Sequence, residues 1–218
     1  AIKLGIGMVH QHFMLVPSLT VAENIVLGRE PKKRNLLLDN SKAISEIQAL
    51  SDRYGLEVDP KAVVYTLPVG VQQRVEILKA LFRGAEILIL DEPTSVLTPQ
   101  EVERLFSAIR ALRQRGKSVI FISHKLKEAC AICDRITVLK RGKVVGTVDT
   151  NKTNPDELAE MMIGREVCSK LEKEQPKPGK TILQIEGLRA FSDRKLLALK
   201  DVTFEVHEFE ILGIAGVE

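Results

Sequence analysis

The 218-residue sequence has little excess charge and lacks any long apolar run. Its 32 basic and 29 acidic residues leave a net charge of only +3, which gives no basis for predicting nucleic-acid binding or attraction to an anionic membrane. The apolar runs are strand-sized, as at Ile87–Leu90, whereas a membrane-spanning helix needs about 20 apolar residues. No signal-peptide pattern opens the sequence, and we expect a fragment because the first residue is Ala1 rather than Met.

Cysteine is scarce as well. The three cysteines are Cys130, Cys133 and Cys168. An odd number without the spacing of a disulfide framework is typical of proteins from a reducing compartment. Cys130 and Cys133 form a C-x-x-C pattern, which has two interpretations. They are either two helix residues packed on the core or a redox pair, and the strand-to-active-site context of a redox motif is missing.

Alternating strand and helix patterns over most of the chain predict an α/β domain with a mainly parallel sheet flanked by helices. The four consecutive apolar residues at 87–90 predict a strand that is covered on both faces. Other predicted strands cover 5–10 and 118–123, and a hairpin covers 135–148 around Arg141 and Gly142. Predicted helices run from Thr20 (with Glu23 in a capping box) to Gly28, from Ser41 to Gly55, after Gly70, from Thr98 (with Pro99 and Glu101) to Arg115, and over 125–132 and 155–164.

The composition changes after this domain. Residues 169–180 are charged and proline-rich, which predicts a linker. Three strand-like runs follow at 181–185, 199–206 and 211–215.

Four polar residues follow the carboxyl ends of predicted strands, where open α/β sheets bind their ligands. Asp91 and Glu92 follow the buried strand, Gln11 follows the first strand, and His124 follows the strand at 118–123. One carboxylate of such a pair can hold Mg²⁺ and the next can orient or deprotonate an attacking water. A glutamine amide oxygen can bind the metal or the water, and a histidine can donate a hydrogen bond to a phosphate. Taken singly, each is more often a capping or solvated polar residue.

Residues 67–74, LPVGVQQR, precede a helix. The glycine at position 70 leaves free N–H groups and room for close approach, which suits a phosphate. An ordinary helix start with Pro68 near the first turn explains the same residues equally well.

The order of these motifs resembles a known family. Gln11, LPVGVQQR (67–74), ILILDEPTS (87–95) and ISH (122–124) are similar to the Q-loop, signature, Walker B and H-loop of ATP-binding-cassette (ABC) proteins. Longer stretches, such as GMVHQHFMLVPSLTVAENIVLG, resemble the first nucleotide-binding domain of tandem importer ATPases for simple sugars and nucleosides, the nucleoside branch more closely. The resemblance covers about 1–167, and the residues at 181–218 resemble the opening strands of a second such domain.

The resemblance implies a P-loop NTPase-like fold that is incomplete at its N-terminus and has a helical subdomain at about 29–83, with 168–180 as linker. It also implies ATP and Mg²⁺ as ligands, with catalytic roles for Glu92 and His124 and magnesium ligation by Asp91 and Gln11. Nucleotide contacts would come from Gln11 and from the signature residues Pro68, Val69, Gly70 and Gln72. The signature would act on the nucleotide held by the partner domain. Implied partners are transmembrane permease subunits, the second nucleotide-binding domain and, indirectly, an extracytoplasmic solute-binding protein, but not nucleic acid. The implied location is the cytoplasmic face of a bacterial-type cell membrane, as a peripheral protein.

Three departures from the family pattern stand out. No G-x-x-x-x-G-K-[ST] loop occurs in the sequence, so we expect negligible ATP hydrolysis by this stretch alone. Pro68 stands where the family usually has Ser, which removes a phosphate contact worth about 1.5–3 kcal/mol. Thr98 stands where many cassettes have Asp, and it keeps the capping role. We also expect that residues 181–215 could fold back and complete the sheet of the first domain.

Three other interpretations remain at this point. A soluble cassette protein that acts on ribosomes or DNA shares the motifs, but it usually adds coiled-coil or basic insertions that this sequence lacks. A degenerate regulatory cassette is favoured by Pro68 and disfavoured by the intact Asp91, Glu92 and His124. A plain structural domain explains the periodicity but not four polar residues at one sheet edge.

Overall fold

A computed structural model describes residues 1–33, 37–164, 178–192 and 196–215. The chain divides into two compact units, Ala1–Val167 and Cys168–Glu218. The first unit contains, in chain order, β1 (Ile6–Val9), α1 (Val21–Val26), β2 (Lys32–Lys33), β3 (Leu37–Leu38), α2 (Asn40–Tyr54), α3 (Val69–Phe82), β4 (Ile87–Asp91), α4 (Pro99–Gln114), β5 (Ser118–Ile122), α5 (Leu126–Ile132), β6 (Arg135–Lys140), β7 (Lys143–Asp149) and α6 (Pro155–Ile163). Short 3-10 helices cover Ile2–Leu4, Val64–Thr66 and Thr150–Lys152.

A three-stranded parallel sheet in the order β1-β4-β5 forms the centre of the first unit, which confirms the predicted parallel arrangement. The face that carries Leu88 and Leu90 is buried. It packs with side chains of α1, α2, α3 and α4 into one core. The opposite face is less covered than predicted, because Ile89 is half-buried and its neighbour Ile120 is exposed.

Capping residues set the ends of the helices. The Thr20–Glu23 and Thr98–Glu101 capping boxes are both present, as predicted, at the starts of α1 and α4. The predicted cap of α2 was wrong: Asp39 rather than Ser41 accepts from the Lys42 N–H, so the helix begins earlier. The start of α3 also lies earlier than predicted, at Val69.

The predicted hairpin is confirmed as β6 and β7, which pair antiparallel. Its turn residues Arg141 and Gly142 have φ angles of 49° and 75°, the left-handed pair that a tight two-residue hairpin requires. Helix α6 begins at an Asn154 cap and packs against β6.

The second unit consists of β8 (Thr181–Phe191) and β9 (Leu197–His207), which pair antiparallel with each other. The predicted third strand at 211–215 is absent from these described residues. The prediction that the tail completes the first sheet was wrong: among the described residues, that sheet contains only β1, β4 and β5. Residues 169–177 of the predicted linker lie outside the described residues.

Within the described ranges, no helix has both the length and the apolar character needed to cross a membrane.

Candidate functional site

Parallel pairing brings the predicted site residues to one edge of the sheet. The register aligns Val9 with Leu90 and Leu90 with Phe121, so β1, β4 and β5 end side by side. Asp91 is the last residue of β4, and Glu92 follows it directly. Gln11 and His124 each follow their strand by two residues. All four positions therefore share the carboxyl edge of the sheet, as the sequence predicts.

Two of these side chains are in direct contact. Nδ1 of His124 lies 2.8 Å from Oε1 of Glu92. The side chain of Glu92 is 27% exposed and that of His124 is 64% exposed, so the pair is open to a ligand from the solvent side. Because a carboxylate can only accept, Nδ1 of His124 is the donor in this contact.

The backbone of Glu92 adopts an uncommon conformation, with φ at 45°. A non-glycine residue in the left-handed region is strained by about 1 kcal/mol or more. Its N–H donates to the carbonyl of Ile122 at 2.9 Å, and its carbonyl accepts from the Ser95 N–H at 3.2 Å. These bonds fix the turn that directs Glu92 away from the strand and toward His124.

Three further residues beside the site were not predicted from the sequence. Thr94 is 1% exposed, and its hydroxyl donates to Oε2 of Glu128 in a short hydrogen bond. Nζ of Lys125 donates to the carbonyl of Thr94 at 2.7 Å and lies 3.3 Å from Oε1 of Glu128. We call Thr94, Lys125 and Glu128 the Thr94 cluster. The three-residue spacing of Lys125 and Glu128 on a helix was the available sequence signal.

Helix α3 connects to the segments that follow two of the strands. Nε2 of the buried Gln73 donates to the carbonyl of Pro93 at 2.5 Å. Oε1 of Glu76 accepts from the Met14 N–H at 2.7 Å, and Nζ of Lys79 donates to the Met14 carbonyl at 2.8 Å. Burial lowers the pKa of Lys79, with the nearby Glu76 opposing the change. The sequence did not predict these contacts, because the hydrophobic periodicity of α3 indicates only a helix that packs on the core.

The predicted signature residues lie at the start of α3. Pro68 is the N-cap, without a side-chain capping bond, and Val69 and Gly70 form the first turn. Gln72 donates from Nε2 to the Leu67 carbonyl at 2.9 Å. A Cβ atom at Gly70 would crowd the carboxylate of Glu101, so a larger residue here would require that side chain to shift.

Gly70 lines a cavity of about 560 Å³ together with residues of α2 and α4. Neither Glu92 nor His124 lines that cavity. Asp91, Glu92, Gln11 and His124 thus follow adjacent strand ends, whereas Gly70 lines a cavity to which Glu92 and His124 do not contribute.

Two residues at the edge carry oxygen atoms of the kind that magnesium binds. No cluster of three or more His, Cys, Asp or Glu side chains suited to a metal occurs in the part of the chain that is described. Magnesium, however, is commonly bound by one or two protein oxygens together with substrate phosphates and water. Asp91 and Gln11 offer a carboxylate and an amide oxygen at adjacent strand ends.

The C-x-x-C residues form no disulfide with each other. Cys130 and Cys133 are both free thiols and half-buried. Burial raises the pKa of the Cys133 thiol, with Asp134 and Cys130 adding to the effect. A raised pKa favours the protonated thiol, whereas redox cysteines need an accessible thiolate. The core-packing interpretation is therefore favoured; Cys168 lies outside the described residues.

Known proteins are similar to this chain in sequence. Residues 1–95 match the family model described as ABC transporter. The chain is 53% identical over 215 residues to the guanosine import ATP-binding protein NupO of Bacillus subtilis (strain 168), covering 99% of this chain and 42% of that protein. It is 49% identical over 218 residues to the nucleoside import ATP-binding protein NupA of Lactococcus lactis subsp. cremoris (strain MG1363), covering 100% of this chain and 43% of that protein.

A solved structure shows the same fold. The cbiO1 protein of Clostridium perfringens, part of the ABC transporter complex cbiONQ, superposes with a TM-score of 0.58 at 25% identity. The alignment covers 69% of this chain and 59% of that one.

The fold is thus that of an ATP-binding cassette with the α/β architecture of the P-loop NTPases. Residues 1–95 belong to the ABC transporter family, which confirms the resemblance. The chain spans about two fifths of the length of the curated relatives that it matches.

Proposed function

We propose that the protein containing this chain is the ATP-binding subunit of an ABC importer, which couples ATP binding and hydrolysis to uptake of a nucleoside or simple sugar. The observation that carries the proposal is the 2.8 Å contact between Glu92 and His124 beside Asp91, at the carboxyl edge of a parallel sheet. The 53% and 49% identical relatives, named as guanosine and nucleoside import proteins, support the nucleoside class.

Glu92 and His124 are the proposed catalytic residues. The carboxylate of Glu92 orients a water molecule and accepts its proton, while the imidazole of His124 donates a hydrogen bond to the terminal phosphate. Since Nδ1 already donates to Glu92, a second donor at Nε2 requires the protonated imidazole.

Asp91 and Gln11 are the proposed magnesium ligands, and Gln11 also responds to the bound nucleotide. Bound magnesium would neutralise negative charge on the phosphates. The carboxylate of Asp91 is the stronger ligand of the two because it is charged, whereas the amide of Gln11 contributes only a dipole.

The signature residues Pro68, Val69, Gly70 and Gln72 are proposed to contact nucleotide held by a second nucleotide-binding domain. The N–H groups in the first turn of α3 suit a phosphate. Pro68 has neither an N–H nor a hydroxyl, so the remaining contact rests on the amides that follow it.

The proposed partners are transmembrane permease subunits and a second nucleotide-binding domain, with an extracytoplasmic solute-binding protein reached through the permease. The proposed location is peripheral, at the cytoplasmic face of the cell membrane. The import names of the relatives support both points.

The test is ATP hydrolysis by the intact protein that contains this chain, assembled with its permease. Glu92→Gln keeps the size of the side chain and removes the base, so we expect turnover at this site to fall about 10²–10⁴-fold. ATP affinity should stay within about threefold. Glu103→Gln, an exposed position on α4, is the matched control and should hydrolyse at the wild-type rate. Unchanged turnover at this site in Glu92→Gln would remove Glu92 from its role.

Pro68 favours a second candidate, a regulatory cassette that binds nucleotide without efficient turnover. Pro68→Ser in the same assembly separates the two. A regulatory cassette should gain hydrolysis on this change, whereas an active importer should already hydrolyse ATP with Pro68 in place.

A further inference from the structure

The Thr94 cluster connects the two segments that carry the proposed catalytic residues. Thr94 follows Glu92 by two positions, and Lys125 follows His124 directly. Glu128 contacts both, through Oε2 to the Thr94 hydroxyl and through Oε1 to Nζ of Lys125. Lys125 in turn reaches back to the Thr94 carbonyl. The cluster therefore joins the turn after β4 to the start of α5.

An ordinary helix-capping role does not account for Glu128. It lies in the first turn of α5, where any acidic side chain interacts favourably with the helix dipole. Its two oxygens, however, bond to Thr94 and Lys125, and α5 has no side-chain capping bond at its N-cap. Its side chain is also only 19% exposed, which is low for a residue that serves a solvated helix end.

The turn that the cluster holds is a strained one. Glu92 has a left-handed backbone with φ at 45°, a conformation that persists only when surrounding contacts fix it. The hydroxyl of Thr94 is buried, so it needs an acceptor in the protein, and Glu128 supplies it. Without that acceptor, the turn can relax and Glu92 loses its alignment with His124.

We propose that Glu128 is a positioning residue for this site: through Thr94 and Lys125 it holds Glu92 and His124 at their 2.8 Å separation. The proposal rests on the proposed function of Glu92 and His124. It adds a residue that touches neither nucleotide nor water, and whose effect falls on the rate of the chemical step rather than on ATP binding.

The experiment measures steady-state hydrolysis of MgATP by the intact protein in its transporter assembly. Glu128→Ala should lower kcat about 10–100-fold and leave KM for ATP within about twofold, because misplacing a base forfeits part of its contribution. Glu128→Gln keeps an oxygen acceptor for Thr94 and should stay within about fivefold of wild type. Glu160→Ala, an exposed glutamate on α6, is the matched control and should not change kcat.

Thr94 provides an independent pair of variants that does not depend on the folding of Glu128→Ala. Thr94→Val removes the hydroxyl at nearly constant volume and should lower kcat about tenfold or more, while Thr94→Ser restores it. Combining Thr94→Val with Glu128→Ala should lower kcat no further than Glu128→Ala alone.

The outcomes separate the two proposals. Wild-type kcat in Glu128→Ala and Thr94→Val, with turnover still abolished by Glu92→Gln, overturns the positioning role and keeps the proposed function. A raised KM at unchanged kcat also overturns it. Full turnover in Glu92→Gln instead overturns the proposed function itself.

Discussion

The sheet of the first unit and the hairpin of the second are built from similar apolar strands, yet they differ in burial. Leu88 and Leu90 on β4 are 1% and 0% exposed, whereas Leu188 and Phe191 on β8 are 38% and 71% exposed. Among the described residues at 178–192 and 196–215, none is buried. Helices cover one face of the first sheet, and two strands alone cannot bury a core. A local sequence can favour a strand, but the strand stabilises the fold only when a second layer of structure covers one of its faces.

The largest test of this difference is a pair of leucine truncations. Leu90→Ala leaves a cavity in a closely packed core and should lower the free energy of unfolding by about 2–5 kcal/mol. Leu188→Ala, the control in the hairpin, should cost less than about 1 kcal/mol because its side chain is already partly exposed. Urea denaturation followed by circular dichroism measures both. Equal costs would show that the hairpin has a core of its own.

A smaller effect is expected at the start of α4. Thr98→Ala removes the side chain that accepts from the Glu101 N–H, and should destabilise the first unit by about 1 kcal/mol. Thr98→Ser should keep most of the stability. Thr181→Ala, at an exposed position that begins β8, should change the free energy of unfolding by less than about 0.5 kcal/mol. The same denaturation experiment applies, and a neutral Thr98→Ala would mean that packing alone holds the helix end.

The smallest effect concerns ion pairs, where the two units should not differ. Arg189 and Asp201 pair at 3.0 Å across the hairpin, and Arg113 and Asp134 pair at 2.8 Å in the first unit. All four side chains are more than half exposed, so solvent screens both pairs. Arg189→Ala and Arg113→Ala should each cost at most about 0.5 kcal/mol, and less at high salt. A large, salt-resistant cost in only one unit would contradict this.

The sequence predicted those parts of the fold that local chemistry determines. The capping boxes at Thr20 and Thr98 and the turn at Arg141 were correct because a few neighbouring residues fix each one. The cap of α2 was wrong because Asp39 and Ser41 are both competent caps, and the choice depends on where the preceding chain lies. The third tail strand was wrong because strand propensity needs a pairing partner to take effect.

The candidate site was predictable at the level of the sheet edge and no further. Parallel strands end together, so Asp91, Glu92 and His124 had to share that edge. The contact between Glu92 and His124 also needs the left-handed backbone at Glu92, which no propensity indicates for glutamate. Glu128 was missed because its link to Thr94 depends on how α5 packs, which is a tertiary property.

The polar contacts of α3 have a mechanical consequence. Gln73 bonds to Pro93, one residue beyond Glu92, and Glu76 and Lys79 bond to Met14, three residues beyond Gln11. Shifting either loop while the helix stays still would break at least one of these hydrogen bonds, and loss of the buried Gln73–Pro93 bond would cost about 1–3 kcal/mol. A helix is a stiff rod over this length, so a tilt at its Val69 end displaces both loops in concert. A movement of one of the two loops is therefore transmitted to the other through α3.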